Sequence, residues 1–185
     1  MLLILHKTKK PMIYKFRMIS GAEKVFLREY EIPSSYTFFS FHKFIQDDLG
    51  FDSDQLASFF ITDENWNKGL ELTLIDMEND AGLAAIPMES VKLSDLLKKK
   101  KDRCLYVFDI FTDRCFFIEL AEIAEPAEDK DYPYCKVSVG APPEQLELGD
   151  ISIIDDFDED NFDEITNEID IESLDSEDYA DEDYY

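Results

Sequence analysis

The basic residues of this 185-residue chain stop at Lys136, and this limits how much of the chain can form a conventional folded domain. All 18 Lys and Arg residues lie in residues 1–136, together with 24 acidic residues. Residues 137–185 hold 19 acidic residues and no basic one, so they carry −19 of the formal net charge of −25. Because like charges at that density repel one another, we expect one near-neutral domain followed by an acidic C-terminal segment.

Three parts are predicted along the chain: a leader outside the domain at 1–11, the domain at 12–144, and an acidic low-complexity tail at 145–185. The apolar run from Met1 to Leu5 is shorter than the 7–15 residues of a secretory signal. Elsewhere nothing approaches the roughly 18 apolar residues of a membrane span. We expect Met12 to be the native start. Three cysteines without a CxxC pair indicate reduced thiols, so the protein is expected to be cytoplasmic.

Alternating apolar and polar residues favour strands through most of the domain, and two stretches have helical spacing. Thr37 and Gly50 have the properties of the N-cap and C-cap of the first helix. The predicted strands cover 12–19, 25–32, 57–62, 70–75, 104–111, 115–120 and 134–140, and the second helix covers 91–97. The pattern predicts an α+β fold: a mostly antiparallel sheet packed by two or three helices, followed by a disordered acidic tail.

Four short strings between residues 12 and 144 are similar, in the same order, to those of a known family. They are 38–51, similar to L-x-x-L-H-x-x-I-Q-x-x-x-G-W; 56–59, similar to L-x-x-F; 92–97 with 106–120, similar to K-L-S-D-x-L and Y-V-Y-D-F-G-D-x-W-x-H-x-I-x-L; and Cys135 with 140–144, similar to C-x-x-G-x-x-P-P-E-D. Together they resemble the plasmid pRiA4b ORF-3-like family. The resemblance implies an α+β fold and no established activity.

The third string departs from the family pattern at its polar positions. Its first Asp is kept as Asp109, whereas Phe111, Thr112, Arg114 and Phe116 stand at the Gly, second Asp, Trp and His positions. If those polar residues form a site in other members, the resemblance implies that this chain lacks it. The chain therefore resembles a divergent member that keeps the fold-forming residues.

Few residues in the sequence suggest catalysis. Asp109 lies inside a predicted strand, where we favour a structural carboxylate that accepts hydrogen bonds from neighbouring backbone or Arg114. His42 is interpreted as a helix-surface or half-buried packing residue, since no Ser or Cys nucleophile motif accompanies it. The carboxylate pairs at 47–48 and 52/54 are interpreted as solvated. We expect no cofactor and no metal; a hydrolytic or metal-dependent enzyme using Asp109 and the loop carboxylates is the alternative.

Four consecutive lysines, Lys98 to Lys101, follow the second predicted helix. Cations at a helix C-terminus interact favourably with the negative end of the helix dipole, which is the interpretation we prefer. A phosphate-binding cluster is the alternative.

The acidic tail contains apolar residues at regular spacing, of which Phe157, Phe162, Ile165 and Ile169 are the candidate interaction residues. The stripe formed by Phe162, Ile165 and Ile169 is too short to be a stable helix alone at this charge density. One interpretation is a solubilising disordered tail. The other is a segment that orders on a basic partner, with acidic residues steering and Phe or Ile anchoring.

The preferred function is a non-catalytic cytoplasmic interaction domain. Its tail is expected to bind a basic protein surface, or to occupy one by mimicking the charge of nucleic acid. Direct binding to nucleic acid or to an anionic membrane is not expected, because the negative field of the chain repels phosphates.

Overall fold

Eight strands in one sheet form the scaffold of the protein, which is described by a computed structural model over residues 11–21, 25–74, 85–146 and 159–168. Three helices and one 3-10 turn, Met88–Ser90, accompany the sheet in these residues. The elements are β1 Ile13–Ser20, β2 Leu27–Pro33, α1 Phe38–Leu49, β3 Ser58–Thr62, β4 Lys68–Thr73, β5 Ile86–Pro87, α2 Leu93–Leu96, β6 Arg103–Asp109, β7 Arg114–Ala124, β8 Tyr134–Val139 and α3 Glu159–Glu168.

The strand order across the sheet is β5-β4-β3-β6-β7-β1-β2-β8, and every neighbouring pair is antiparallel except β4 and β5. The predicted α+β fold with a mostly antiparallel sheet is confirmed. So are the predicted hairpins β1–β2 and β6–β7 and the position of β8 at an edge. One strand is longer than predicted: β7 continues past Leu120, because after a register shift its last residues still pair with β1, Ile13 opposite Ala124.

The first helix has the bounds that its caps predict. Thr37 Oγ1 accepts a hydrogen bond of 3.1 Å from Ser40 N, and Gly50 ends α1 in the left-handed region at φ +67°. The buried side of α1 carries Phe38, Phe41 and Ile45, which are fully buried. Local sequence therefore sets both ends of α1, and the apolar stripe sets which side meets the sheet.

Aromatic rings join α1 to the first face of the sheet. Phe41 stacks on Phe16 of β1 at 4.9 Å between ring centroids and on Phe59 of β3 at 5.7 Å. Phe59 in turn lies 4.8 Å from Tyr106 of β6. Each such pair contributes about 0.5–1.5 kcal/mol beyond its buried area, so α1 is held firmly across the central strands.

The second face of the sheet is apolar over part of its area and is covered there by α3. Its apolar side chains are buried between sheet and helix: Ile19, Leu27, Leu105, Phe117 and Val137. Phe162 of α3 belongs to the same cluster and is 1% exposed. The sheet thus supplies the burial that the short stripe lacks on its own. The other residues of the predicted disordered tail, 147–158 and 169–185, lie outside the described residues.

Candidate functional site

Asp109 builds the turn between β6 and β7. Its Oδ1 accepts hydrogen bonds from Phe111 N at 3.0 Å and Thr112 N at 3.3 Å, and its Oδ2 accepts one from Thr112 Oγ1 at 2.6 Å. Arg114 Nη2 lies 3.2 Å from the same Oδ2. Burial raises the pKa of Asp109, but these hydrogen bonds outweigh it and hold the pKa below the ordinary value. The contacts agree with the structural role favoured from the sequence.

Arg114 extends this network to the residues after β8. It donates a hydrogen bond of 3.0 Å to the backbone oxygen of Gln145, and its guanidinium lies 5.3 Å from the Phe108 ring centroid. Both oxygens of Asp109 and the guanidinium of Arg114 therefore serve to hold loops together. Thr112 and Arg114, two of the residues at which the chain departs from the family pattern, thus contact Asp109 through their side chains.

His42 lies deeper than the half-buried position expected for it. Its Nδ1 is 2.8 Å from the Tyr106 hydroxyl, and both residues are buried. Burial, with a smaller contribution from the charge of Lys43, lowers the pKa of His42 to about 4. The imidazole is therefore neutral near pH 7 and links α1 to β6 inside the core.

The loop carboxylates occupy separate places. Asp48 accepts a hydrogen bond of 2.8 Å from the Tyr30 hydroxyl and pairs with Arg28 Nε at 3.3 Å. Asp52 and Asp54 are exposed, and Asp52 Oδ1 accepts a hydrogen bond from Asp54 N at 2.9 Å. In the part of the chain that the structure describes, no three His, Cys, Asp or Glu side chains are grouped as metal ligands.

The lysine run follows α2, which ends at Leu96. Lys98 Nζ donates to the backbone oxygen of Ser94 in that helix. Lys98 N and Lys99 N both donate to Asp102 Oδ2, at 2.6 and 2.9 Å. An open cleft of about 510 Å³ borders this run, and its lining mixes basic with acidic residues: Lys99, Lys100, Lys101, Arg103, Asp63, Glu64 and Asp102.

The acidic segment contributes α3, which presents two different sides. Phe162 lies 5.3 Å from the Trp66 ring centroid, and Ile165 packs at the margin of the same cluster. Asp163 and Glu164 are exposed. Two of the four candidate interaction residues, Phe162 and Ile165, are thus brought together on the protein's own sheet. Phe157 and Ile169 lie outside the described residues.

A buried ion pair lies beneath α3. Arg103 Nη2 is 2.7 Å from Glu119 Oε2, and the two side chains are 2% and 8% exposed. The Arg103 guanidinium lies 4.8 Å from the Trp66 ring centroid and 6.0 Å from that of Phe162. The aromatic rings exclude water from this pair, and the guanidinium gains cation–π contacts with both rings.

Sequence reasoning missed Trp66 as part of the α3 binding surface. A signal was present: strands β1, β6 and β7 carry apolar residues at Ile19, Leu105 and Phe117, on the side opposite the main core. A strand that is apolar on both sides has to be covered on both sides. The covering element had to come from elsewhere in the chain, and the stripe with Phe162 is the segment that covers it.

Within the described residues no helix is long and apolar enough to cross a membrane.

Comparison with known proteins agrees with this architecture. No curated protein matches the chain. The crystal structure of MM3350, a protein of unknown function from Methanosarcina mazei Go1, is similar with a TM-score of 0.57 and 24% sequence identity, covering 71% of each chain. The model of the family described as plasmid pRiA4b ORF-3-like protein matches residues 13–179. With its mostly antiparallel sheet and the ordered strings along that range, the chain belongs to the plasmid pRiA4b ORF-3-like family.

Proposed function

We propose that this protein is a non-catalytic interaction domain of the cytoplasm whose acidic C-terminal segment binds a basic protein partner. The observation that carries the proposal is the orientation of α3. Phe162 is 1% exposed and packs on the sheet, whereas Asp163 and Glu164 are exposed to solvent. Because the sheet holds α3 in place, its outward carboxylates lose less conformational freedom on binding than they would on a free chain.

The charge distribution supports a basic partner. Residues 137–185 carry 19 acidic and no basic side chains, so the negative field is concentrated in the segment that contains α3. Such a field attracts positively charged protein surfaces and accelerates their association, within a Debye length of about 8 Å at physiological salt. It repels nucleic acid phosphates, which supports a protein as the partner.

The contacts of Asp109 support a non-catalytic role. The enzyme alternative requires its carboxylate for chemistry, but both oxygens accept hydrogen bonds from the β6–β7 turn.

The three free thiols, Cys104, Cys115 and Cys135, support a reducing compartment.

The structure changes the role proposed for the apolar tail residues. In one of the two interpretations of the sequence, Phe162 and Ile165 anchor the tail on its partner. In the present proposal they anchor α3 on the sheet instead, and the partner meets the carboxylates of Asp163 and Glu164. Phe157 and Ile169 stay candidate partner contacts.

The proposal is tested by affinity capture from native lysate with three full-length baits at matched ionic strength. The baits are the unmodified chain, Asp163→Asn/Glu164→Gln on α3, and Glu128→Gln/Asp129→Asn, which removes two exposed charges from the β7–β8 connection. We expect the α3 variant to recover about three- to tenfold less of a basic partner, from two charge contacts of roughly 0.5 kcal/mol each. The β7–β8 variant should recover as much as the unmodified chain.

Two results would contradict the proposal. Equal recovery of basic proteins by all three baits would remove α3 from the interaction. Equal losses for both variants would show that only total charge matters and that the position of α3 has no role.

A further inference from the structure

Exposed apolar side chains gather at one end of the sheet, where β6 leads into β7. Among the described residues six large apolar side chains are exposed, and five of them lie in the loops at this end. These five are Val25 at 63%, Leu56 at 47%, Ile110 at 42%, Phe111 at 81% and Leu146 at 46%. The sixth, Leu70, lies inside β4 at 36%.

Gln145 brings three of these loops together. Its Oε1 accepts a hydrogen bond of 2.6 Å from Asp52 N, in the loop that leads to Leu56. Its backbone oxygen accepts one of 3.0 Å from Arg114, at the end of the turn that holds Ile110 and Phe111. Gln145 is also the direct neighbour of Leu146. Leu56, Ile110, Phe111 and Leu146 therefore lie on loops that Gln145 joins, and these four residues are called the terminal patch.

Phe111 is the dominant member of the terminal patch. Its side chain is 81% exposed, although its backbone is fixed by the hydrogen bond from Phe111 N to Asp109 Oδ1 at 3.0 Å. An aromatic side chain has only two torsions to fix on binding, so its entropy cost is low for its area, and such rings contribute strongly to protein interfaces.

Acidic side chains border the terminal patch. Asp52, Asp54 and Glu144 are exposed, and no Lys or Arg of the described ranges is within ion-pair distance of them. Asp113, on the same turn as Phe111, pairs with Lys68 at 2.6 Å. The border is therefore negative, and the net charge of −25 disfavours both a second copy of this chain and an anionic membrane as occupants.

We propose that the terminal patch docks a basic protein segment that carries apolar anchor residues. The anchors pack on Phe111 and its neighbours, and the Lys or Arg side chains of the segment lie against Asp52, Asp54 and Glu144. This rests on the proposed function only in that both require a basic protein partner. The terminal patch is a second surface, formed by different residues from those of α3.

The test measures binding of a labelled 16-residue amphipathic Leu/Lys peptide to the full-length protein by fluorescence anisotropy. A peptide of the same composition with the order scrambled serves as its control. We expect Phe111→Ser to weaken binding of the amphipathic peptide about tenfold, as loss of an aromatic hot spot does. Leu70→Ser, which changes an exposed apolar residue outside the patch, is the matched control and should leave binding of the amphipathic peptide unchanged. Asp52→Asn/Asp54→Asn should weaken that binding.

Several results would overturn the proposal: no binding of the amphipathic peptide, equal binding of the scrambled peptide, or equal binding by Phe111→Ser. A dimer seen by sedimentation, or binding to neutral lipid vesicles, that Phe111→Ser abolishes would assign the patch to another occupant. The Asp163→Asn/Glu164→Gln variant separates the two proposals. If it loses lysate partners while Phe111→Ser keeps full peptide binding, the proposed function stands and the terminal patch fails.

Discussion

Asp109 and His42 were both considered for chemistry from the sequence, and both hold elements of the fold together. The oxygens of Asp109 accept hydrogen bonds within the β6–β7 turn, including 2.6 Å from Thr112 Oγ1. His42 lies 2.8 Å from the Tyr106 hydroxyl in the core. The sequence suggested a structural role for both residues, although it placed Asp109 inside a strand that in the structure ends at Asp109. The partner Tyr106 is 64 positions from His42, and such a pairing depends on the tertiary fold.

Burial of neutral His42 predicts a pH-dependent stability. Its folded pKa of about 4 lies below the ordinary 6.5, so the unfolded chain takes up a proton first as the pH falls. The stability that neutral His42 contributes is therefore complete above pH 6.5 and is lost as the pH falls from 6.5 to 4. By pH 5 the free energy of unfolding has decreased by about 2 kcal/mol from this cause. We expect the free energy of unfolding in urea to fall by that amount more in the unmodified protein than in His42→Gln when the pH is lowered to 5. Parallel plots of unfolding free energy against pH for the two proteins would contradict this prediction.

At the scale of elements, α1 and α3 differ in what determines them. The caps of α1, Thr37 and Gly50, lie within its own sequence, and both helix ends were predicted correctly. For α3 the stabilising contacts are distant in sequence: Phe162 packs on Trp66, which in turn contacts Phe117. Local pattern showed the apolar stripe but not the surface that buries it. The boundary placed at residue 144 stays a prediction, although the family match runs to residue 179 and spans α3.

Two glycines that end elements predict different costs for the same substitution. Gly140, after β8, has φ +71°, and a Cβ there would lie 1.7 Å from the backbone oxygen of Val25. Gly50, after α1, has φ +67° with nothing within 4 Å of such a Cβ. We expect Gly50→Ala to lower the free energy of unfolding by about 1 kcal/mol, from backbone strain alone.

Gly140→Ala has the same backbone strain and also places its Cβ against the backbone oxygen of Val25. We therefore expect it to lower the free energy of unfolding by about 3 kcal/mol or more. Chemical denaturation of the two variants measures the difference. Equal stabilities would show that the chain after β8 does not approach Val25 as closely as described.

At the scale of the whole molecule, the two faces of one sheet are covered by different regions of the chain. The helices α1 and α2 come from the near-neutral region and cover the first face, whereas α3 comes from the acidic segment and covers part of the second. The charge division was visible in the sequence, where it predicted an acidic low-complexity tail following the domain. In the structure the acidic segment supplies Phe162 to the core, so the part with the strongest field is attached to the fold by apolar packing.

Both the fold and the proposed function depend on α3 lying on the sheet through Phe162, and Trp66 reports on this directly. Trp66 is the only tryptophan of the chain, is 5% exposed, and lies 5.3 Å from the Phe162 ring centroid. The measurement is tryptophan emission and acrylamide quenching of the unmodified protein, of Phe162→Ser and of Phe111→Ser. We predict a red shift and stronger quenching for Phe162→Ser alone. Identical spectra and quenching in all three proteins would contradict the docking of α3.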